Sequence, residues 1–209
     1  LMRHISWEDR EIREGRWQTR MGSGLSGKTL GIIGLGGIGA PMSKIANAFG
    51  MNVIAWSRSL TPELAKAAGA SYVPWDELFK QSDVVTIHVP LSDESRGWVG
   101  ARELGLMKPT AYLVNTSRGP IVQTEALIDV LRNRTIAGAA IDVYDSEPIS
   151  KDHPLLPLNN VVLTPHLGYA SLEGLGNFYQ GAVANINAWI AGEPMMVANS
   201  AVLGKERQS

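Results

Sequence analysis

Seven short apolar runs punctuate the chain, and most of them lack the polar–apolar alternation that a half-exposed strand shows. They are TLGIIG (29–34), NVIAW (52–56), SYV (71–73), DVVTIHV (83–89), AYLVN (111–115), AGAAIDV (137–143) and NVVLT (160–164). Runs of this kind suit parallel strands covered on both faces. The segments between them are helical in pattern. Residues 40–49 place Met42, Ile45, Ala46 and Phe49 on one face and stop at Gly50. Thr61 is a cap before Pro62 with Gly69 as the stop, and Thr124 is a cap before Ala126, Leu127, Val130 and Leu131. Strand–helix repetition of this sort predicts an α/β fold, a doubly wound parallel sheet of about seven strands.

Composition narrows the class of function. Hydrophobic residues make up 44% of the 209 and charged residues 19%, ordinary globular material able to bury a core. A formal net charge of -1 argues against a nucleic-acid surface or a polybasic membrane contact. No cysteine is present, which excludes disulfides and thiolate metal sites and fits a cytoplasmic protein. No run is apolar for long enough to span a bilayer, and the first residues carry charges instead of a signal-peptide core. The ends differ from the middle. EDREIREGRW reads as the end of a helix, and residues 170–191 carry a long amphipathic pattern through Leu172, Leu175, Tyr179, Ala182, Ile186 and Trp189.

Between the first strand and the first helix lies Gly34-Leu35-Gly36-Gly37-Ile38-Gly39, a G-x-G-x-x-G. Glycines there permit a tight turn, close approach of backbone to a pyrophosphate, and close helix–strand packing, and the helix N-terminus favours the anion. In this context the loop predicts a Rossmann-like dinucleotide site, although glycine-rich turns also join strands to helices for structural reasons, and FAD proteins and some methyltransferases share the topology.

Residues at three strand ends invite chemistry. Arg118, in the loop after AYLVN, offers a charged fork of donors suited to a carboxylate; the alternative is an arginine that caps a helix or faces solvent. His166 follows the last strand, where it can exchange protons near neutral pH if a carboxylate orients it, or else serve as a hydrogen-bonded structural histidine. Asp142, Asp145 and Glu147 follow the preceding strand and supply candidate carboxylates. His4 and His153 read as surface residues, and His88 as part of a cofactor wall. No cluster of ligands has metal-binding spacing, so no metal is expected.

Six motifs, GLGGIG, HVPLSDESRG, MKPTAYLVNTSRGPIV, ALIDVL, AGAAIDVYDSEP and NNVVLTPHLGYAS, occur in order. Together they resemble the D-isomer-specific 2-hydroxyacid dehydrogenase family over roughly residues 25–193. The resemblance implies that Arg118 holds a substrate carboxylate and polarises the C2 carbonyl. It implies that His166 is the acid–base and that Glu147 pairs with it. Glu147 also argues against the formate-dehydrogenase branch, which has glutamine there. The implied cofactor set is Gly34, Gly36, Gly37, Ile38, Gly39, Ser57, Arg58, Ser59, His88, Val89, Pro90, Ser95, Thr116, Ser117, Asp142, His166 and Gly168. Within it, Asp142 matches the position that contacts the nicotinamide amide, and Ser117 and Gly119 set the Arg118 loop.

The chain departs from that family at its ends and after its second strand. Residues 1–20 resemble a remnant interdomain helix, 21–169 the dinucleotide-binding domain, and 170–209 a helix and tail that return to a substrate domain mostly absent here. At the end of NVIAW, Ser57-Arg58-Ser59 stands where NAD-preferring relatives carry an aspartate for the ribose hydroxyls. A carboxylate would repel a 2′-phosphate and serine does not, which predicts NADP in preference to NAD; the alternative is a neutral strand end with Arg58 in solvent and NAD bound. The expected function is hydride transfer between a nicotinamide cofactor and a 2-oxo acid or D-2-hydroxy acid of glyoxylate, hydroxypyruvate, D-lactate or phosphoglycerate type, in a homodimer without nucleic-acid or membrane partners. The alternative is a cofactor-binding regulatory or inactive fragment of the same fold.

Overall fold

The computed structural model describes residues 1–199. The chain divides into two compact units, the first running from Leu1 to His166 and the second beginning at Leu167. The first unit opens with α1 (Ile5–Arg13) and then builds β1 (Thr29–Ile33), α2 (Gly39–Ala48), β2 (Asn52–Trp56), α3 (Pro62–Ala67), β3 (Ser71–Tyr72) and α4 (Trp75–Gln81). It continues through β4 (Val84–Ile87), α5 (Ala101–Leu106), β5 (Tyr112–Asn115), a short 3-10 turn at Gly119–Ile121, α6 (Thr124–Arg132), β6 (Gly138–Ile141) and β7 (Val161–Leu163). All seven strands are parallel, in the order β3-β2-β1-β4-β5-β6-β7. The order reverses between β1 and β4, which opens a crevice at their carboxyl ends.

Two apolar layers cover the sheet. On one face Ile33, Val85, Ile87, Leu113 and Ile141 pack against Leu78, Phe79, Leu104, Ile121, Leu127 and Leu131. On the other Leu30, Ile32, Val53, Ala55 and Val84 pack with Ala46, Met51 and Met2. Phe79 is fully buried and meets Trp75 edge-on at 4.9 Å between centroids. Trp75 in turn contacts Trp56 at 4.6 Å and Trp98 at 5.8 Å, an aromatic cluster beside the end of β2.

Local signals place most boundaries. Thr61 accepts the Leu64 N–H at 3.3 Å and Pro62 stands at the first helical position, while Gly50 and Gly69 end their helices with positive φ. Two expectations need correcting. Gln123, not Thr124, is the cap of α6: the helix begins one residue early, and Thr124, already helical, donates its hydroxyl to Asp145 at 2.5 Å. The apolar face expected of α2 is only partly covered: Ala46 is buried, but Ile45 and Phe49 are exposed and, with Met42, line an apolar groove of about 400 Å³. In the second unit, α7 (Leu172–Ile190) begins at Ser171, whose hydroxyl accepts the Gly174 N–H at 2.9 Å, and carries the amphipathic stripe read from the sequence. Among the described residues no helix is long and apolar enough to cross a membrane.

At the amino end of the sheet, Asp83 joins three strands. Its carboxylate accepts the Thr29 N–H at 2.8 Å at the start of β1 and pairs with Lys108 at 3.1 Å, while its backbone carbonyl accepts Tyr112 N–H from β5. Burial pushes this carboxyl up, but the Thr29 and Lys108 bonds outweigh it and hold it below the usual range. Asp83→Ala should lower stability by about 2 kcal/mol at neutral pH, since it strands a backbone donor and a cation. A depressed native pKa stabilises above the unfolded value and loses that effect as pH falls through the native one. The gap between variant and wild type in urea unfolding should therefore shrink at acid pH.

Candidate active site at the carboxyl ends of the strands

The crevice is built from five loops held to one another by backbone. Gly34 leaves β1 at φ +95°, a region that disfavours other residues, and a Cβ placed on it would lie 2.6 Å from the His88 carbonyl oxygen. That absence lets the exit of β4 press against the glycine loop. Gly39 is equally confined, since its Cβ would meet the Gly34 oxygen at 2.0 Å. Gly36 and Gly37 differ: a Cβ on either would meet nothing within 4 Å. They are exposed, they sit at the start of α2, and no side chain caps that helix. The outer glycines thus keep the loop folded and the inner two leave an open cradle lined by backbone, the shape a dinucleotide pyrophosphate fits.

Beyond β4, His88 donates its N–H to Ile33 at 2.7 Å, and its ring nitrogen Nε2 lies 3.0 Å from the Thr86 hydroxyl. Burial holds the His88 imidazolium pKa below its usual value, so the ring is a neutral wall at physiological pH. Ser95 does not face open space as a cofactor ligand would. It is buried, accepts the Ser92 N–H at 2.8 Å and donates to the Pro90 carbonyl at 2.9 Å, which fixes the turn carrying Val89 and Pro90.

Beyond β5, the side chain of Asn115 is buried and shapes the Arg118 loop from within. Its Oδ1 accepts the Ser117 N–H at 3.0 Å and its Nδ2 donates to the Arg118 carbonyl at 2.9 Å. Ser117 Oγ donates to Val89 at 2.5 Å, joining this loop to the previous one. Thr116 and the Arg118 guanidinium are exposed, and Arg118 Nη1 donates to the Ser117 carbonyl at 2.6 Å. Gly119 is required by space, because a Cβ there would lie 2.2 Å from the Tyr144 carbonyl carbon.

The last two loops bring a histidine and a carboxylate together. Asp142 is buried, and its carboxylate accepts from Thr164 Oγ1 at 2.5 Å while its backbone carbonyl accepts the His166 N–H at 2.8 Å. Tyr144 ties the same loops through its hydroxyl, 3.0 Å from the Thr164 carbonyl. His166 therefore stands at a fixed place, at φ +55°, with Nδ1 2.7 Å from Glu147 Oε2. The other Glu147 oxygen accepts the Tyr144 N–H at 2.9 Å. The His166 hydrogen bond, the Tyr144 N–H and the nearby Arg118 charge all hold the Glu147 carboxyl below the usual range. Glu147 is thus ionised at neutral pH, and Arg118 belongs to the same electrostatic neighbourhood.

Several readings shift on this geometry. Ser57 accepts the Leu35 N–H at 2.9 Å, so its oxygen is bonded into the glycine loop. Arg58 is not a lone cation: it ion-pairs with Glu94 and lies 6.0 Å from the Trp98 ring centroid. Ser59 is exposed beside it, and Gly168 falls in the second unit. His4 and His153 are half-buried, not surface residues: His4 precedes α1, and His153 accepts the Leu155 N–H and stacks edge-on against Tyr144 at 6.3 Å. Asn115, Tyr144, Thr164 and Glu94 were not singled out as candidates from the sequence. Asn115 and Thr164, polar residues ending apolar runs, carried the one usable signal.

The fold and this set of loops define a dinucleotide-binding α/β domain with an arginine and a histidine–carboxylate pair beside the cradle. The family model described as "D-isomer specific 2-hydroxyacid dehydrogenase, NAD binding domain" matches residues 1–168, and the chain belongs to that family. It is 42% identical to a glyoxylate reductase of Thermococcus litoralis over 97% of this chain and 64% of that protein. Among solved structures it is similar to a phosphoglycerate oxidoreductase from Vibrio cholerae, with a TM-score of 0.86 and 34% identity over 91% of this chain and 62% of the other. It is also similar to a glyoxylate reductase from Paecilomyes thermophila, with a TM-score of 0.81 and 36% identity over 93% and 60%. The chain spans less than two thirds of the length of each of these relatives.

Two measurements test the site. Gly37→Ala should fold with stability within about 0.5 kcal/mol of wild type yet lose at least about tenfold in dinucleotide affinity, whereas Gly39→Ala should fail to fold normally. In an NMR titration, His166→Ala should raise the Glu147 pKa towards its ordinary value, because the largest cause of its depression is removed.

Proposed function

We propose that this chain is the cofactor-binding part of an oxidoreductase that interconverts 2-oxo acids and D-2-hydroxy acids. The observation that carries the reading is the His166–Glu147 pair, 2.7 Å apart, in the electrostatic reach of Arg118. A bound nicotinamide dinucleotide supplies or accepts the hydride. The residues of the chain provide the rest. Arg118 presents a permanent cation for the substrate carboxylate and for negative charge developing on the C2 oxygen. His166 exchanges a proton with that oxygen through Nε2 while Glu147 holds Nδ1 and orients the ring. Asp142, buried and bonded to Thr164, positions His166 through its backbone carbonyl, and its carboxylate would hold the nicotinamide amide.

The relatives' names support the substrate class: glyoxylate is the first acid to test, with phosphoglycerate, D-lactate-like acids and hydroxypyruvate beside it. NADP is preferred and NAD accepted, because the end of β2 offers the Ser57 hydroxyl, Arg58 and Ser59 where a carboxylate would repel a 2′-phosphate. The helix at 170–191 belongs with a substrate domain that completes the pocket, whereas residues 1–20 count with the cofactor-binding unit, in whose core Met2 packs; residues 200–209 lie outside the described residues. The working form is a homodimer in the cytoplasm.

The test is oxidation of NADPH and NADH with a panel of 2-oxo acids, using this chain and a longer version that restores the segment missing relative to its relatives. The longer version should turn over at least one 2-oxo acid, and none at all would overturn the enzyme reading in favour of a binding or regulatory protein. Arg118→Ala in the active version should lower kcat/KM by at least about a hundredfold with dinucleotide affinity within about twofold of wild type.

A further inference from the structure

We infer that Glu94 is a specificity-determining residue: by pairing with Arg58 it competes with a 2′-phosphate and so weakens the preference for the phosphorylated dinucleotide. The inference rests on the reading above that Ser57, Arg58 and Ser59 face the adenosine ribose.

Arg58 follows the residue whose hydroxyl is bonded into the glycine loop, so its backbone is placed at the side of the cradle. Its guanidinium lies near Trp98, which packs edge-on against Trp56 at 5.4 Å, and it ion-pairs with Glu94. Glu94 is held in this place by its neighbours. Ser95, the next residue, is buried and bonded to Pro90 and Ser92, and the Gly97 N–H donates to Pro120 at 2.8 Å. The carboxylate thus projects from a fixed turn.

Both partners are exposed, with 62% and 68% of their side-chain surface accessible, so the pair is of the weak, exchangeable kind. Ser57, Arg58 and Ser59 alone would make an unopposed phosphate site. With Glu94 present, the cation must leave a carboxylate before it serves a phosphate. The unphosphorylated dinucleotide carries a neutral hydroxyl at that position and asks for no such exchange. Glu94 therefore acts on one cofactor and not the other, and it does so only through Arg58. The physical result is a site that takes both cofactors with a narrowed ratio, although its strand-end residues favour one.

The experiment measures dissociation constants of NADPH and NADH by quenching of tryptophan emission, and of adenosine 2′,5′-bisphosphate and 5′-AMP by calorimetry. Wild type, Glu94→Gln, Arg58→Gln and the double variant are compared. Glu94→Gln should tighten NADPH and the bisphosphate by about three- to tenfold and change NADH and AMP by less than about twofold. In the Arg58→Gln background the gain should fall below about twofold. Unchanged or weakened NADPH binding in Glu94→Gln, an equal gain for both cofactors, or a full gain without Arg58 would each overturn the inference. A wild-type chain that binds NADH more tightly than NADPH overturns the proposed NADP preference instead, and the Glu94→Gln shift still decides the role of Glu94.

Discussion

The site depends on one close approach, where the chain leaving β4 passes against Gly34 at the end of β1. With a Cβ at Gly34, His88 and Val89 would have to move outward. Ser117, which donates to Val89, would lose its partner, and the Arg118 loop would lose its tie to the exit of β4. The order reversal of the sheet at this point makes the crevice, and a missing methyl group makes it narrow enough for loops from both halves to meet. The candidate site residues are then held by hydrogen bonds that tie side chains to the neighbouring loops.

Much of the architecture was legible in the sequence because the strands are buried on both faces and the stops are chemically distinct. Thr61-Pro62 and the glycines at 50 and 69 act through local backbone preferences, which do not depend on the rest of the fold. The Glu147–His166 pairing was implied by motif resemblance, and their placement beside Arg118 follows from parallel strands ending on one side. What escaped was decided by long-range contacts. Thr124 has a good cap side chain, but Asp145, 21 residues away, takes its hydroxyl. Ser95 has the right residue type for a ligand, yet its turn consumes it. Arg58 reads as a free cation until the fold brings Glu94 beside it, 36 positions along the chain. Asn115 shows the converse: its two bonds are short-range, and a polar residue ending an apolar run was the signal that could have found it.

The two histidines of the carboxyl edge show how environment assigns roles to one side chain. His88 is half-buried beside Thr86 and held neutral, a wall element. His166 sits at a left-handed backbone position with its Nδ1 engaged by an ionised carboxylate. Such strain, of order 1 kcal/mol or more, persists only where surrounding bonds over-determine it, and here the Asp142 carbonyl and Glu147 do so.

Asp83 lies at the opposite edge from all of this, fastening the starts of β1, β4 and β5. Cohesion of the central strands is thereby anchored at one rim while recognition is written at the other. Loops at the reactive rim are free to diversify between generations without loosening the anchor. A domain divided in this way is evolvable: new substrates and a changed cofactor ratio can be explored on the same frame.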